Sequence, residues 1–107
     1  MTVEQIIEYT DTLKPNTFDF TTKLFWVNQV DGIIQTEILK VPIDNVRLLS
    51  SSYDKLSVKH PYSQIYSFYI ASMIDFFSGD FDKYQNSSAA YNDAMKLYAK
   101  YISRGAK

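Results

Sequence analysis

The residues of this chain best able to do chemistry are its one histidine, His60, and an acidic cluster of Asp75, Asp80 and Asp82. General acid-base or nucleophilic catalysis needs a base and an orienting partner held together in a pocket. His60 stands beside Pro61 at an expected helix start, where it can cap the helix or face solvent, and nothing near it in sequence supplies an orienting partner. The aspartates suggest calcium by charge alone. An EF-hand loop needs carboxylates at alternating positions, a central glycine and a closing glutamate, and FFSGDFDKYQNS lacks both that order and the glutamate. Helix capping and a charged helix start account for them better. Gly32, Gly79 and Gly105 are isolated, so no glycine-rich phosphate loop is present. A chain without cysteine has neither a thiolate zinc site nor a disulfide framework. Asn86-Ser87-Ser88 matches a glycosylation acceptor, but no secretory signal accompanies it. No catalytic, cofactor-binding or metal-binding residue is expected, and the chain reads as a helical binding or structural module, not an enzyme.

Totals narrow the class further. At 107 residues the chain is expected to be one small domain over its whole length, 1–107, with a modest core. A net charge of −1 with a pI near 5.7 lacks the electrostatic footprint of a domain that wraps phosphates, so a nucleic-acid partner is not expected. Aromatic content of 16%, mostly tyrosine, exceeds what such a core needs. Tyrosine joins a large apolar body to a polar tip, which suits core margins and protein interfaces alike. The N-terminus MTVEQIIEYTD lacks the basic region and apolar run of a signal peptide, and the most apolar window, 65–77, is broken by Ser67, Ser72 and Asp75. A cytosolic, unanchored protein is expected.

Four helices must position these residues. Thr2-Val3-Glu4-Gln5 has the form of a capping box, and Val3, Ile6, Ile7, Thr10 and Leu13 mark one face of a helix over 2–14. Asp19 is the expected cap of a second helix over 19–39, whose two apolar lines (Phe20, Leu24, Val27, Ile34 and Ile38; Trp26, Val30 and Ile33) make it the central one. Asp31-Gly32 interrupts it, pointing to a close crossing or a bend. Pro61 suits the first turn of a third helix over 61–78, with Tyr62, Ile65, Tyr66, Tyr69, Met73 and Phe76 or Phe77 inward. Gly79 can end it in the left-handed conformation, and Asp80 can cap a fourth over 80–104. There Phe81, Tyr84, Ser88, Tyr91, Met95, Tyr98 and Ile102 form a continuous stripe, expected to share one buried face. The stretch 41–60 has no helical period. It is expected to be an exposed, mobile, irregular linker between helices two and three, with a short hairpin in VPIDNVRLL or KLSVK as its only regular element. The fold class is therefore all-α, a small four-helix domain with a long irregular linker.

The order of these segments resembles a known family. LKPNTF, a polar helix start and KLFWVNQVDGIIQTEIL resemble the N-terminal helices of small head-tail connector (head completion adaptor) proteins of tailed bacteriophages and prophages. KLSVKHPYSQIYSFYIASMIDFFSGDFDKYQNSSAAYNDAMKLYAKYISR is similar to their C-terminal half: a Pro-Tyr begins a helix, a Tyr-x-x-Tyr-like segment leads into Ile-Asp-aromatic-aromatic, and a Tyr-x-Asn-Ser step opens the last helix. The Lys59-His60 pair before the Pro-Tyr departs from the more apolar approach of many relatives.

The resemblance implies a structural virion protein at the head-tail junction, made in the cytoplasm of a bacterial host. It implies a ring of copies of itself beneath the portal protein, receiving the tail or its stopper protein, with no catalytic residues, cofactor or membrane. A linker that orders only on docking would delay assembly until the portal provides a template, and an isolated monomer is compatible with that scheme. Two rivals come from other classes. A helix-turn-helix DNA-binding regulator would need a basic recognition face; the last helix offers Lys83, Lys96, Lys100 and Arg104, but also Asp82 and Asp93. An enzyme or ligand carrier would need its aromatics to line a pocket with convergent polar groups.

Overall fold

The computed structural model describes residues 1–105. Among them the chain forms a compact all-α fold of four α-helices, α1 (Val3–Leu13), α2 (Phe20–Ile33), α3 (Gln64–Phe77) and α4 (Phe81–Ser103), with no strand. Its Cα radius of gyration is 13.5 Å, about what a folded body of this length has.

α1, α2 and α4 start where a side chain takes up backbone N–H groups that the helix leaves unpaired. At α1 the expected capping box forms, the Gln5 N–H donating to Thr2 Oγ1 (3.3 Å) and the Thr2 N–H to Gln5 Oε1 (3.0 Å). Asp19 accepts the Thr22 N–H at 2.8 Å, and Asp80 the Lys83 N–H at 3.2 Å. Gly79 sits at φ +75°. Its N–H donates to the Phe76 carbonyl and the Asp80 N–H to that of Asp75, so α3 closes by a glycine turn of the expected kind and α4 begins one residue later.

α3, and not α2, is the centre of the packing, lying against α1, α2 and α4. Ile65, Tyr66, Ile70 and Ile74 are buried on it together with Ser67 and Ser72. The small hydroxyl residues let neighbours approach from several sides, and each donates back to its own helix (Ser67 to Gln64 O, Ser72 to Tyr69 O), so no buried donor is left unpaired. Val3, Ile6 and Ile7 of α1, Trp26, Val27 and Val30 of α2, and Tyr98 of α4 complete the helical part of the core.

Several boundaries and faces differ from the sequence reading. Pro61 lies in a turn ahead of α3, not in its first turn: the Tyr62, Ile65 and Tyr66 N–H groups all bond three residues back, and the helix proper begins at Gln64. The second helix keeps helical form to Ile38 but its last five residues, Ile34–Ile38, are a π turn in which the Leu39 N–H reaches the Ile34 carbonyl. Gly32 marks neither a close crossing nor a clash, since a Cβ there would meet only Val46 Cγ1 at 4.0 Å. On α4 the stripe is graded: Tyr98 is buried, Tyr84, Ser88, Tyr91, Met95 and Ile102 are half-buried, and Phe81 is 63% exposed. α4 beds down at its C-terminal end and stands clear at its start. Leu13, Phe20 and Ile33, expected on inward faces, are also exposed.

The greatest difference lies in 41–60. The connection is irregular and long, as expected, with a 3-10 turn at Ile43–Asn45 and an isolated antiparallel bridge between Thr2 and Lys55 in place of a hairpin. It is not a wholly exposed linker. Leu49, Leu56 and Val58 are buried members of the core, and the stretch supplies a wall that the short helices cannot.

Candidate functional site

Two features stand apart from the apolar core. One is a buried seam of polar side chains and the other an exposed ridge of aromatic rings.

The seam runs along α2 and its π turn. Asn28, Asp31 and Gln35 follow one another by three and four residues, so they line one helical face. Each binds the irregular stretch. The Asn28 amide accepts the Leu49 N–H and donates to the Leu49 carbonyl, both at 2.7 Å. Gln35 makes the same pair with Arg47, at 2.9 and 3.0 Å. Between them Asp31, 0% exposed, accepts from Tyr66 Oη (2.5 Å), Gln35 Nε2 (2.8 Å), Ser57 Oγ (3.0 Å) and the Ser57 N–H (3.1 Å). A carboxylate offers about four lone-pair sites, so Asp31 is fully coordinated. Tyr66 Oη in turn accepts the Val58 N–H at 3.1 Å. Burial first, and the adjoining Asp31 second, push the Tyr66 hydroxyl far above its ordinary pKa and keep it a neutral donor. The π turn puts one extra residue into this turn of helix, and Ile34 and Gln35 are both buried there. At the far end of the stretch, Asp54 accepts the Ser50 and Ser51 N–H groups, which hold its carboxyl below the ordinary range. The Asp54 and Ser52 carbonyls then accept the Val3 and Glu4 N–H groups at the start of α1. No buried side-chain donor or acceptor among the described residues lacks a partner.

The ridge lies at the α3–α4 turn. It begins in the core at Trp26, on which Phe77 stacks at 5.8 Å with nearly parallel planes. Phe76 meets Phe77 edge-on at 5.1 Å, Phe81 at 6.3 Å and Tyr84 at 5.4 Å. Phe76, Phe77 and Phe81 are 44%, 59% and 63% exposed. At the opposite end of the α3–α4 hairpin, Tyr62 packs on Tyr98 and Tyr101 and borders a groove of about 930 Å³, where Lys40, Lys59 and His60 also lie.

The residues singled out by sequence fall as follows. His60 is exposed on the groove wall and Lys59 is beside it. Asp75 is buried by an ion pair with Lys14 Nζ (2.8 Å) and a bond from Ser87 Oγ (2.8 Å), which ties α1, α3 and α4 together. Asp80 caps α4 and pairs with Lys83 at 3.6 Å, while Asp82 is exposed. The three aspartates therefore do not converge, and no group of His, Asp or Glu among the described residues could hold a metal ion. No helix among them is long and apolar enough to cross a membrane. The seam is not visible from helical periodicity alone, in which Asp31-Gly32 is only an interruption. The signal was there in the spacing of Asn28, Asp31 and Gln35, a polar line set among apolar ones. No family model, curated protein or solved structure matches this chain.

Proposed function

We propose that this chain is a non-catalytic assembly protein, a head-tail connector that forms a ring between the portal and the tail or stopper of a tailed phage or prophage. The observation that supports it is the ridge: three exposed phenylalanines, Phe77 and Phe81 each against Phe76, rooted in the core through Trp26. Contiguous apolar rings left in water on a body this small mark a surface that partners cover. Aromatic rings are also the side chains that carry most energy at interface centres. Ile43, Leu48 and Tyr53 add exposed apolar side chains on the irregular stretch, while its backbone is held to α1 and α2. The stretch thus offers a second contact surface on a fixed support. The portal and ring parts of the reading come from the resemblance of the helical segments to connector proteins.

Mixing the purified protein with a cognate portal ring, and following the mass of the complex, tests the proposal. Addition of several copies per portal ring is the expected result. No mass shift at high concentration, or a thermal stabilisation by duplex DNA in place of portal, would replace the connector with the DNA-binding regulator.

A further inference from the structure

The ridge and the groove are complementary, and neither can reach the other within one molecule. α3 and α4 run antiparallel, as the pairing of Phe76 with Phe81 at one end and of Tyr62 with Tyr101 at the other requires. Twenty residues of helix separate Phe81 from Tyr101, about 30 Å at 1.5 Å per residue, and the longest dimension of the molecule is 37 Å. The ridge is exposed, aromatic and acidic: Asp80 is answered by Lys83, whereas exposed Asp82 has no ion-pair partner among the described residues. The groove is concave, aromatic and basic. Tyr62, Tyr98, Tyr101 and Ile102 floor it, Lys40 and Lys59 flank it, and among the described residues no Asp or Glu lines it.

We propose that the ridge of one copy docks in the groove of the next, Phe81 and Phe76 against the tyrosines and Asp82 toward Lys40 and Lys59. This deepens the self-association part of the reading above by naming its two faces. Docking two different patches of the same chain is a heterologous contact, which repeats to give a closed ring when the rotation permits and an open filament when it does not. The contact satisfies both features at once: the exposed rings leave water, and opposite charges face each other, which sets orientation more than raw affinity.

The absence of cysteine makes this directly testable. Ser78 beside the ridge and Ser103 on the groove wall are both exposed, and a Ser78→Cys chain and a Ser103→Cys chain each carry one thiol. An equimolar mixture oxidised with glutathione disulfide is expected to give the mixed dimer in about tenfold excess over either like-with-like dimer, as a contact worth about 1.4 kcal/mol produces. Adding Asp82→Lys to the first chain should reduce the excess, and adding Lys59→Glu to the second should recover it. A random product ratio, or a preference for either like-with-like dimer, overturns the proposal. No portal is present in this assay, so a failure here leaves the portal mass assay to decide the connector reading separately, and a failed mass shift leaves the mixed disulfide standing.

Discussion

The seam around Asp31 and the ridge around Phe81 are built from opposite choices. In the seam Asp31, Gln35 and Tyr66 are buried and every polar side chain is paired, with four donors on one carboxylate and two amide side chains each closing a two-bond bridge to the backbone. On the ridge large apolar rings stand largely in water, braced by one another and by Trp26 and Tyr84. A paired buried network fixes one arrangement of the chain, because any other leaves its members unsatisfied in a low-dielectric interior. An apolar surface in water gains free energy only when something covers it. The first region therefore determines what the fold is, and the second what the folded body can join. Substitutions in the two should separate cleanly into changes of stability and changes of association.

The largest effect belongs to Asp31. Asp31→Ala strips the acceptor from Tyr66, Gln35 and Ser57 together, and each buried donor left without a partner costs about 1–3 kcal/mol. A loss of about 4 kcal/mol in urea unfolding is expected, with protease cutting first in 41–60 as the stretch detaches. Tyr66→Phe keeps the ring and removes only the hydroxyl, so the expected loss is smaller, about 1–2 kcal/mol. The same hydroxyl gives an alkaline signature. Its folded pKa is raised, so the stability tied to it is complete below the unfolded value of about 10 and declines as pH rises beyond it. Thermal melts of the wild type between pH 8 and 11, set beside Tyr66→Phe, should show the extra decline only in the wild type.

Asp54 predicts a smaller acid effect of the opposite sense. The Ser50 and Ser51 N–H groups lower its folded pKa, so its contribution is present above the unfolded value of about 3.9 and lost as pH falls through the folded one. Melting temperature should drop below about pH 4 in the wild type and less steeply in Asp54→Ala. Phe81→Ser should have the smallest effect on folding, within about 0.5 kcal/mol for an exposed position, while weakening association. A large destabilisation by Phe81→Ser, or an unchanged stability in Asp31→Ala, would erase the distinction between the two regions.

The two regions also differ in how far the sequence reveals them. The caps at Thr2, Asp19 and Asp80 and the turn at Gly79 depend on residues within five positions of one another, so local spacing is enough to place them. The inward face of α3 was only partly readable, since a helix packed on three sides buries Ile70, Ile74 and Ser72 off the single stripe that periodicity selects. The burial of Leu49, Leu56 and Val58 in the stretch 41–60 is hidden from periodicity, because they follow no helical period. They reach the core from a backbone held by side chains 8 to 26 positions away in sequence, the Val58 N–H by Tyr66, that of Arg47 by Gln35, that of Leu49 by Asn28 and that of Ser57 by Asp31. Such bonds leave no local pattern. On α4 the stripe predicts a face but not its depth, so Phe81 belongs to the stripe yet stands outside the core.

The most direct test of the account sets wild type, Tyr66→Phe and Phe81→Ser side by side against the portal ring, with the mass of each complex and the melting temperature of each free protein measured. Wild type and Tyr66→Phe should add to the portal, the latter from a lower melting temperature, while Phe81→Ser should melt as the wild type does and fail to load a full complement. Full loading by Phe81→Ser at wild-type concentration would contradict the claim that the exposed aromatic ridge is the assembly surface.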